Sequence, residues 1–305
     1  MRRWVVTIAL ACGGGCGAGL PVSPPVSPPA QEPENLIDEE TYANRIAGLR
    51  ATLARHSVDI DTDLVIETCT PDHVHERLPE HCMRCEVARR DNTGGVDPSL
   101  IDAVAIAFAA YPPSLIAAAR LEHVTLCRTI RYPNKPDEQA PAGVAISDQH
   151  RLLISVEHFV GGVPEGFSIT QVVHHEVFHL FDRATGPGAD TDREWDAINP
   201  PGFAYRDPAS TERNRPAGFV NSYATTNARE DRATVFEYLL GQPTKLCEIA
   251  NVDPGVAAKT KVVWKRVAKV VGAKLLRQHA SCVEDIGKKP RKGPKRPVTL
   301  QLPPR

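Results

Sequence analysis

The chain has 305 residues, of which 42% are apolar and 24% charged. That is enough for a sizeable core and argues against full-length disorder, collagen and coiled coil, and no run approaches the ~18 apolar residues of a membrane helix. The formal net charge of −1 points to no polyanionic partner, although Lys288 to Arg305 holds seven Lys or Arg and no acid, which leaves the rest of the chain acidic.

Residues 1–20 read as a targeting segment, with Arg2 and Arg3 ahead of the apolar run Trp4 to Ala11. Ala9-Leu10-Ala11-Cys12 resembles a bacterial lipoprotein signal, so Cys12 is the expected lipid anchor, and the cell envelope or the exterior is the expected location. Residues 21–35 are Pro-rich with a doubled Val-Ser-Pro-Pro, the composition of a semi-rigid extended spacer. A folded domain is expected over 36–286 and a basic, Pro-rich disordered tail over 287–305. The tail lacks interleaved aromatics for base stacking, so no nucleic-acid partner is expected.

Within the folded part, the periodicity predicts helices over Leu36 to Arg55 and Ser99 to Ala110, and a short one ending near Arg120. Strands are predicted over Val124 to Ile130, Gly143 to Ile146 and Leu152 to Val156. Ser168 and Gln171 form a capping box that opens a helix to Arg183, ahead of Gly186-Pro187. Trp195 to Tyr205, with two prolines and a glycine, reads as an ordered turn that either walls a cleft or tucks its aromatics under. Further helices are predicted over Asn227 to Leu240 and Val262 to Leu276. The fold class is α+β, helix-rich with a small β-sheet.

Outside the targeting segment stand Cys69, Cys82, Cys85, Cys127, Cys247 and Cys282. In an exported chain they suggest up to three disulfides, with Cys247–Cys282 the expected pair because both flank the C-terminal helices. The cluster of Cys69, His73, His75, His81, Cys82 and Cys85 also has the makings of a structural zinc knuckle, an arrangement rarer than disulfides in an oxidising compartment.

The capped helix carries His174-His175-Glu176-Val177-Phe178-His179. Four residues advance a helix by about 400°, so His175 and His179 lie on one face, ~6 Å apart along the axis, and both imidazoles reach one metal ion. Glu176, turned ~100° away, reaches a water on that metal. The pattern therefore predicts Zn2+ as cofactor and Glu176 as general base. His174 has no partner in register and is expected at the surface or behind the ligands. No third His follows at short spacing, so an acid from a later helix is required, with Glu194, Glu212, Glu230 and Glu237 as candidates.

The segment Gly218 to Leu239 (Gly-Phe-Val-Asn-Ser-Tyr-Ala-Thr-Thr-Asn-Ala-Arg-Glu-Asp) resembles the second motif of the anthrax lethal factor-like zinc metallopeptidases, and the His-Glu-x-x-His helix resembles their first. The likeness covers Ser168 to Leu239. It implies a zincin-like metallopeptidase domain with His175, His179 and Glu230 as zinc ligands, Glu176 as base and Tyr223 as hydrogen-bond donor to the oxyanion. In that family a second acid follows the ligand one helical turn later. Thr234 stands there, leaving Asp231 or Glu237 for its supporting role. Asn227 and Glu230 also form a capping-box pattern, a competing use for Glu230.

The expected function is a zinc-dependent metallopeptidase, an endopeptidase acting on a peptide or protein by means of a water acidified by zinc and activated by Glu176. The alternatives are an envelope lipoprotein that keeps the domain for binding or structure, and a hydrolase of non-peptide amides.

Overall fold

The computed structural model describes residues 39–61, 66–69, 82–88, 98–132, 141–159, 168–187, 191–205 and 215–286. The targeting segment with Cys12, the linker, the basic tail, Glu212 and the three histidines at 73, 75 and 81 lie outside the described residues.

Helix α1 (Glu39–Ala54) turns Ile46, Leu49 and Leu53 inward, the stripe its spacing predicts. Strands β1 (Asp59–Asp61), β2 (Ile66–Cys69) and β3 (Cys82–Val87) follow, none of them anticipated. Helices α2 (Pro98–Ala109) and α3 (Pro113–Ala119) are separated by Ala110 to Pro112, with Pro113 opening the second. Then come β4 (His123–Arg131), β5 (Gly143–Ile146) and β6 (Arg151–Ser155), close to expectation. Helix α4 (Ile169–Thr185) is capped by Ser168, whose hydroxyl accepts from the Gln171 amide. A short α5 (Arg193–Asp196) occupies part of the segment expected to be only a turn. Asp192 caps it, accepting from the Trp195 amide.

Helix α6 (Ala228–Gly241) matches its prediction, and α7 (Pro243–Val252) was missed. The single late helix expected over Val262 to Leu276 is two. Helix α8 (Pro254–Val271) starts eight residues earlier, at an Asp253 cap followed by proline at N1. Gly272, at φ 81°, ends it, and α9 (Ala273–Ala280) begins there.

Six strands form one mixed sheet, five of them in the order β2-β3-β4-β6-β5 and β1 beside β4 off that path. The nine-residue β4 organises it. One edge pairs parallel with β6; the other pairs parallel with β1 through Asp59 to Asp61, then antiparallel with β3 through Arg84 to Val87. Both faces of β4 are covered, which is why its buried residues run almost without alternation. Val124, Leu126, Leu152 and Ile154 face the helices in the main core. Cys85, Cys127, Ile130 and Leu153 form a smaller core on the opposite face.

Cys85 is bonded to Cys127 inside that smaller core, which takes Cys85 out of the zinc-knuckle cluster, whose three histidines lie outside the described residues. The β2–β3 register sets Cys69 opposite Cys82. Cys247–Cys282 forms as expected, tying α7 to the segment after α9. Among the described residues no single helix is long and apolar enough to cross a membrane.

Candidate metal centre

Helices α4 and α6 are the two halves of the site. Phe178 of α4 stacks on Phe236 of α6 at 4.8 Å between ring centroids. Gln171 and His175 meet Glu237, whereas His175 and His179 meet Glu230, so the two helices run antiparallel. Glu230 and Glu237 are two turns apart and share one face of α6. That face lies along the histidine face of α4.

One ligand atom from each of His175, His179 and Glu230 lies within 4.8 Å of the others. Nε2 of His175 is 2.8 Å and Nε2 of His179 is 3.4 Å from Oε2 of Glu230. The two imidazole rings are 4.8 Å apart. Of the four acids that spacing left open, the structure brings Glu230 to both histidines. Glu194 instead accepts from Arg266 at 3.1 Å on the surface. Glu237 contacts His175 through the other ring nitrogen, Nδ1, at 3.1 Å.

The capping-box alternative for Glu230 is only half made. Asn227 Oδ1 accepts from the amides of Arg229 and Glu230, while the Glu230 side chain turns to the histidines.

Burial pushes the Glu230 carboxyl up, but the adjacent His179 and His175 outweigh it and hold the group well below the usual carboxylate range. Burial pushes His175 down, and its hydrogen bonds to Glu230 and Glu237 more than reverse that, leaving it well above the usual imidazole value. Such a buried set of negative oxygen and imidazole nitrogen favours a positive charge at its centre.

Glu176 projects beside the pair toward β5. Its carboxylate accepts from the Ala145 amide, and burial raises it above the ordinary glutamate value against the pull of His179 and His175. Gly143 makes room for it. A Cβ there would stand 2.9 Å from Glu176 Cγ and 2.6 Å from Val172 Cγ1.

Tyr223 is 51% exposed by surface, yet its ring lies 5.8 Å from His175 and its hydroxyl hydrogen-bonds to Glu230. The negative charge of Glu230, then burial, raise the phenol well above its usual value, so it stays protonated and able to donate. Short polar side chains build the turn that carries it: Asn221 Oδ1 accepts from the Ala224 amide at 3.0 Å, and Thr226 donates to the Tyr223 carbonyl at 2.7 Å. Upstream, Asp253 accepts from the Gly218 amide at 2.9 Å and from Arg215 at 2.7 Å. Nothing in the local sequence pointed to these anchors, because Asp253 lies 35 residues away from Gly218.

No protein-family model matches the chain, and no curated protein does. A solved structure of a candidate zinc-binding metallo-peptidase from Bacteroides caccae is similar to it, with a TM-score of 0.40 and 13% identity over 82% of this chain and 96% of that one. Residue roles do not transfer at that degree of likeness.

His174 is not at the surface. It is buried, with Nδ1 2.5 Å from the Tyr111 hydroxyl. Trp195 is wholly buried and donates to Asp231 at 2.8 Å, so that segment tucks its tryptophan under, while Phe203 and Tyr205 are half-buried. Asp231 points away from the histidines and pairs with the buried Lys259 at 2.6 Å, which removes it as their support. Glu237 is the acid that contacts His175 from α6 besides Glu230.

Proposed function

We propose that the protein is a zinc-dependent metallopeptidase whose metal ligands are His175, His179 and Glu230. The observation that carries this reading is the convergence of their three donor atoms, within 4.8 Å, from two helices separated by more than forty residues. The donor set fits the ion: two imidazole nitrogens and one carboxylate oxygen are a common catalytic zinc set. Helix α4 alone supplies the two nitrogens and the neighbouring acid, the spacing the sequence motif requires. The motif resemblance to lethal factor-like peptidases agrees with the same assignment.

Zinc bound there supplies Lewis acidity, lowering the pKa of a coordinated water to about 7 and polarising a carbonyl. Glu176, held by the Ala145 amide, takes the proton of the attacking water. It then hands that proton to the departing amine. Tyr223, protonated beside Glu230, donates to the oxygen that gains negative charge as the carbonyl becomes tetrahedral. Glu237, in contact with His175, supports an intact site even though Thr234 stands where the family has its second acid.

In the same reading the substrate is a peptide or protein and cleavage is internal. The protein acts in the cell envelope or outside it, anchored at Cys12 or secreted. Two disulfides among the described residues support an oxidising compartment.

The test is cleavage of casein and a peptide library by metal-analysed protein, with and without chelator, alongside Glu176→Gln. The expected result is stoichiometric zinc in both proteins, and chelator-sensitive cleavage in the parent only. A parent that binds no zinc, or a Glu176→Gln protein with full activity, defeats the assignment.

A further inference from the structure

We propose that Glu237, held in turn by Gln171, is the positioning residue that fixes the ring of His175 with Nε2 turned to the metal site; this rests on the metal-binding reading above. The position one turn after Glu230 is Thr234, whose side chain has no acid to offer and whose buried hydroxyl has no hydrogen-bond partner among the described residues.

An imidazole on a helix can present either nitrogen, and its ring can rotate about Cβ–Cγ. A metal ligand needs one nitrogen deprotonated and aimed, so the other must carry the proton and have an acceptor. For His175 the acceptor is Glu237 Oε2, 3.1 Å from Nδ1, on the side of the ring opposite Glu230.

Glu237 is itself not free to turn. Its other oxygen, Oε1, accepts from Gln171 Nε2 at 2.8 Å. Gln171 lies one turn before His175 on α4, and its Oε1 accepts from the hydroxyl of the cap residue Ser168 at 3.3 Å. Gln171 was expected to serve only the cap. Its amide nitrogen does bond to Ser168, but its side chain also reaches across to α6.

The result is a continuous line from the helix cap through Gln171 and Glu237 to His175. All four residues are buried or partly buried, so the three bonds between them are shielded from water. The antiparallel packing explains the choice of position. Moving back one turn along α4 from His175 corresponds to moving forward along α6, so the acid that reaches the far side of the ring comes after Thr234, at 237.

The experiment compares the parent with Glu237→Gln, Glu237→Ala and Gln171→Ala. Zinc affinity is measured by competition with a chromophoric chelator, and the visible spectrum is recorded with cobalt in place of zinc. Glu237→Ala is expected to bind zinc 10- to 100-fold more weakly, with a changed cobalt spectrum. Glu237→Gln keeps the shape and one acceptor oxygen and is expected to recover part of that loss. Gln171→Ala leaves every ligand and Glu237 in place and is expected to weaken zinc by a smaller factor. It serves as the deciding variant should Glu237→Ala fail to fold.

Parent-like zinc affinity and cobalt spectra in the Glu237 and Gln171 variants overturn this proposal while leaving the metal site standing. A parent that binds no zinc overturns both.

Discussion

Gly143→Ala asks whether β5 sets the position of the general base. The added methyl would stand 2.9 Å from Glu176 Cγ, 2.6 Å from Val172 Cγ1 and 3.4 Å from the Leu153 carbonyl oxygen. Carbon atoms rest at about 3.5–4.0 Å, so the Glu176 stem has to withdraw by at least about half an ångström. That retreat also stretches its bond from the Ala145 amide on the same strand. A misplacement of about 1 Å costs on the order of 10²-fold in rate, so half of it predicts a loss of about tenfold or more in kcat/KM. Overpacking against Val172 adds a stability loss of about 1–3 kcal/mol. The assay is kcat/KM on a cleaved peptide with zinc content and urea unfolding followed in parallel. Gly48→Ala serves as control, because nothing stands within 4 Å of a Cβ there. Zinc content is expected to be unchanged. A Gly143→Ala protein that folds with the parent's kcat/KM refutes the claim that the bare backbone at 143 places Glu176.

Tyr223→Phe removes one donor to the developing oxyanion and is expected to lower kcat by about 10²–10³ with little change in KM, read from steady-state kinetics. Lys259→Met leaves Asp231 as a wholly buried carboxylate without its cation and is expected to cost about 3–5 kcal/mol in urea unfolding; a loss under about 1 kcal/mol would mean the pair is dispensable. The Asp253 carboxyl is pushed up by burial, but Arg215 and the amides of Gly218 and Val256 outweigh this and hold it below the ordinary value. Its stabilising share is therefore present above the unfolded value of about 3.9 and fades as pH falls through the lower folded value. The parent's stability advantage over Asp253→Asn should be constant near neutrality and shrink below about pH 4. A gap that holds its size down to pH 3 would contradict this.

What the sequence made legible was whatever is local. Helix α4 announced itself through Ser168, Gln171 and the histidine spacing, and the strands around Val124, Val144 and Leu153 through short apolar runs. Strands β1 to β3 escaped because they are three to six residues long and exist by pairing with β2–β4 partners far along the chain. Helix α8 was started too late because the Asp253-Pro254 cap was not weighed, and carried too far because Gly272 was read as an interior residue.

The site itself was legible as a list of acids. Choosing among them required knowing that α6 runs antiparallel to α4, which no local pattern encodes. Asp231 and Glu237 looked equivalent as supports. They diverge because Asp231 lies one residue round the helix and faces Lys259 and Trp195, whereas Glu237 repeats the face of Glu230. Asp231 and Arg232 are each fully buried, paired with Lys259 and Asp182 respectively, so polarity on this helix marks core and not surface.

That burial bears on how such a protein can change. The strip from Glu230 to Phe236 has no residue open to solvent. An acid mounted on a loop can be traded or moved with little penalty elsewhere, but one embedded in this helix is tied to the packing of every neighbour. New specificity is therefore easier to acquire in the segments before and after α6 than on it, and the helix should tolerate exchange only when its core partners change with it.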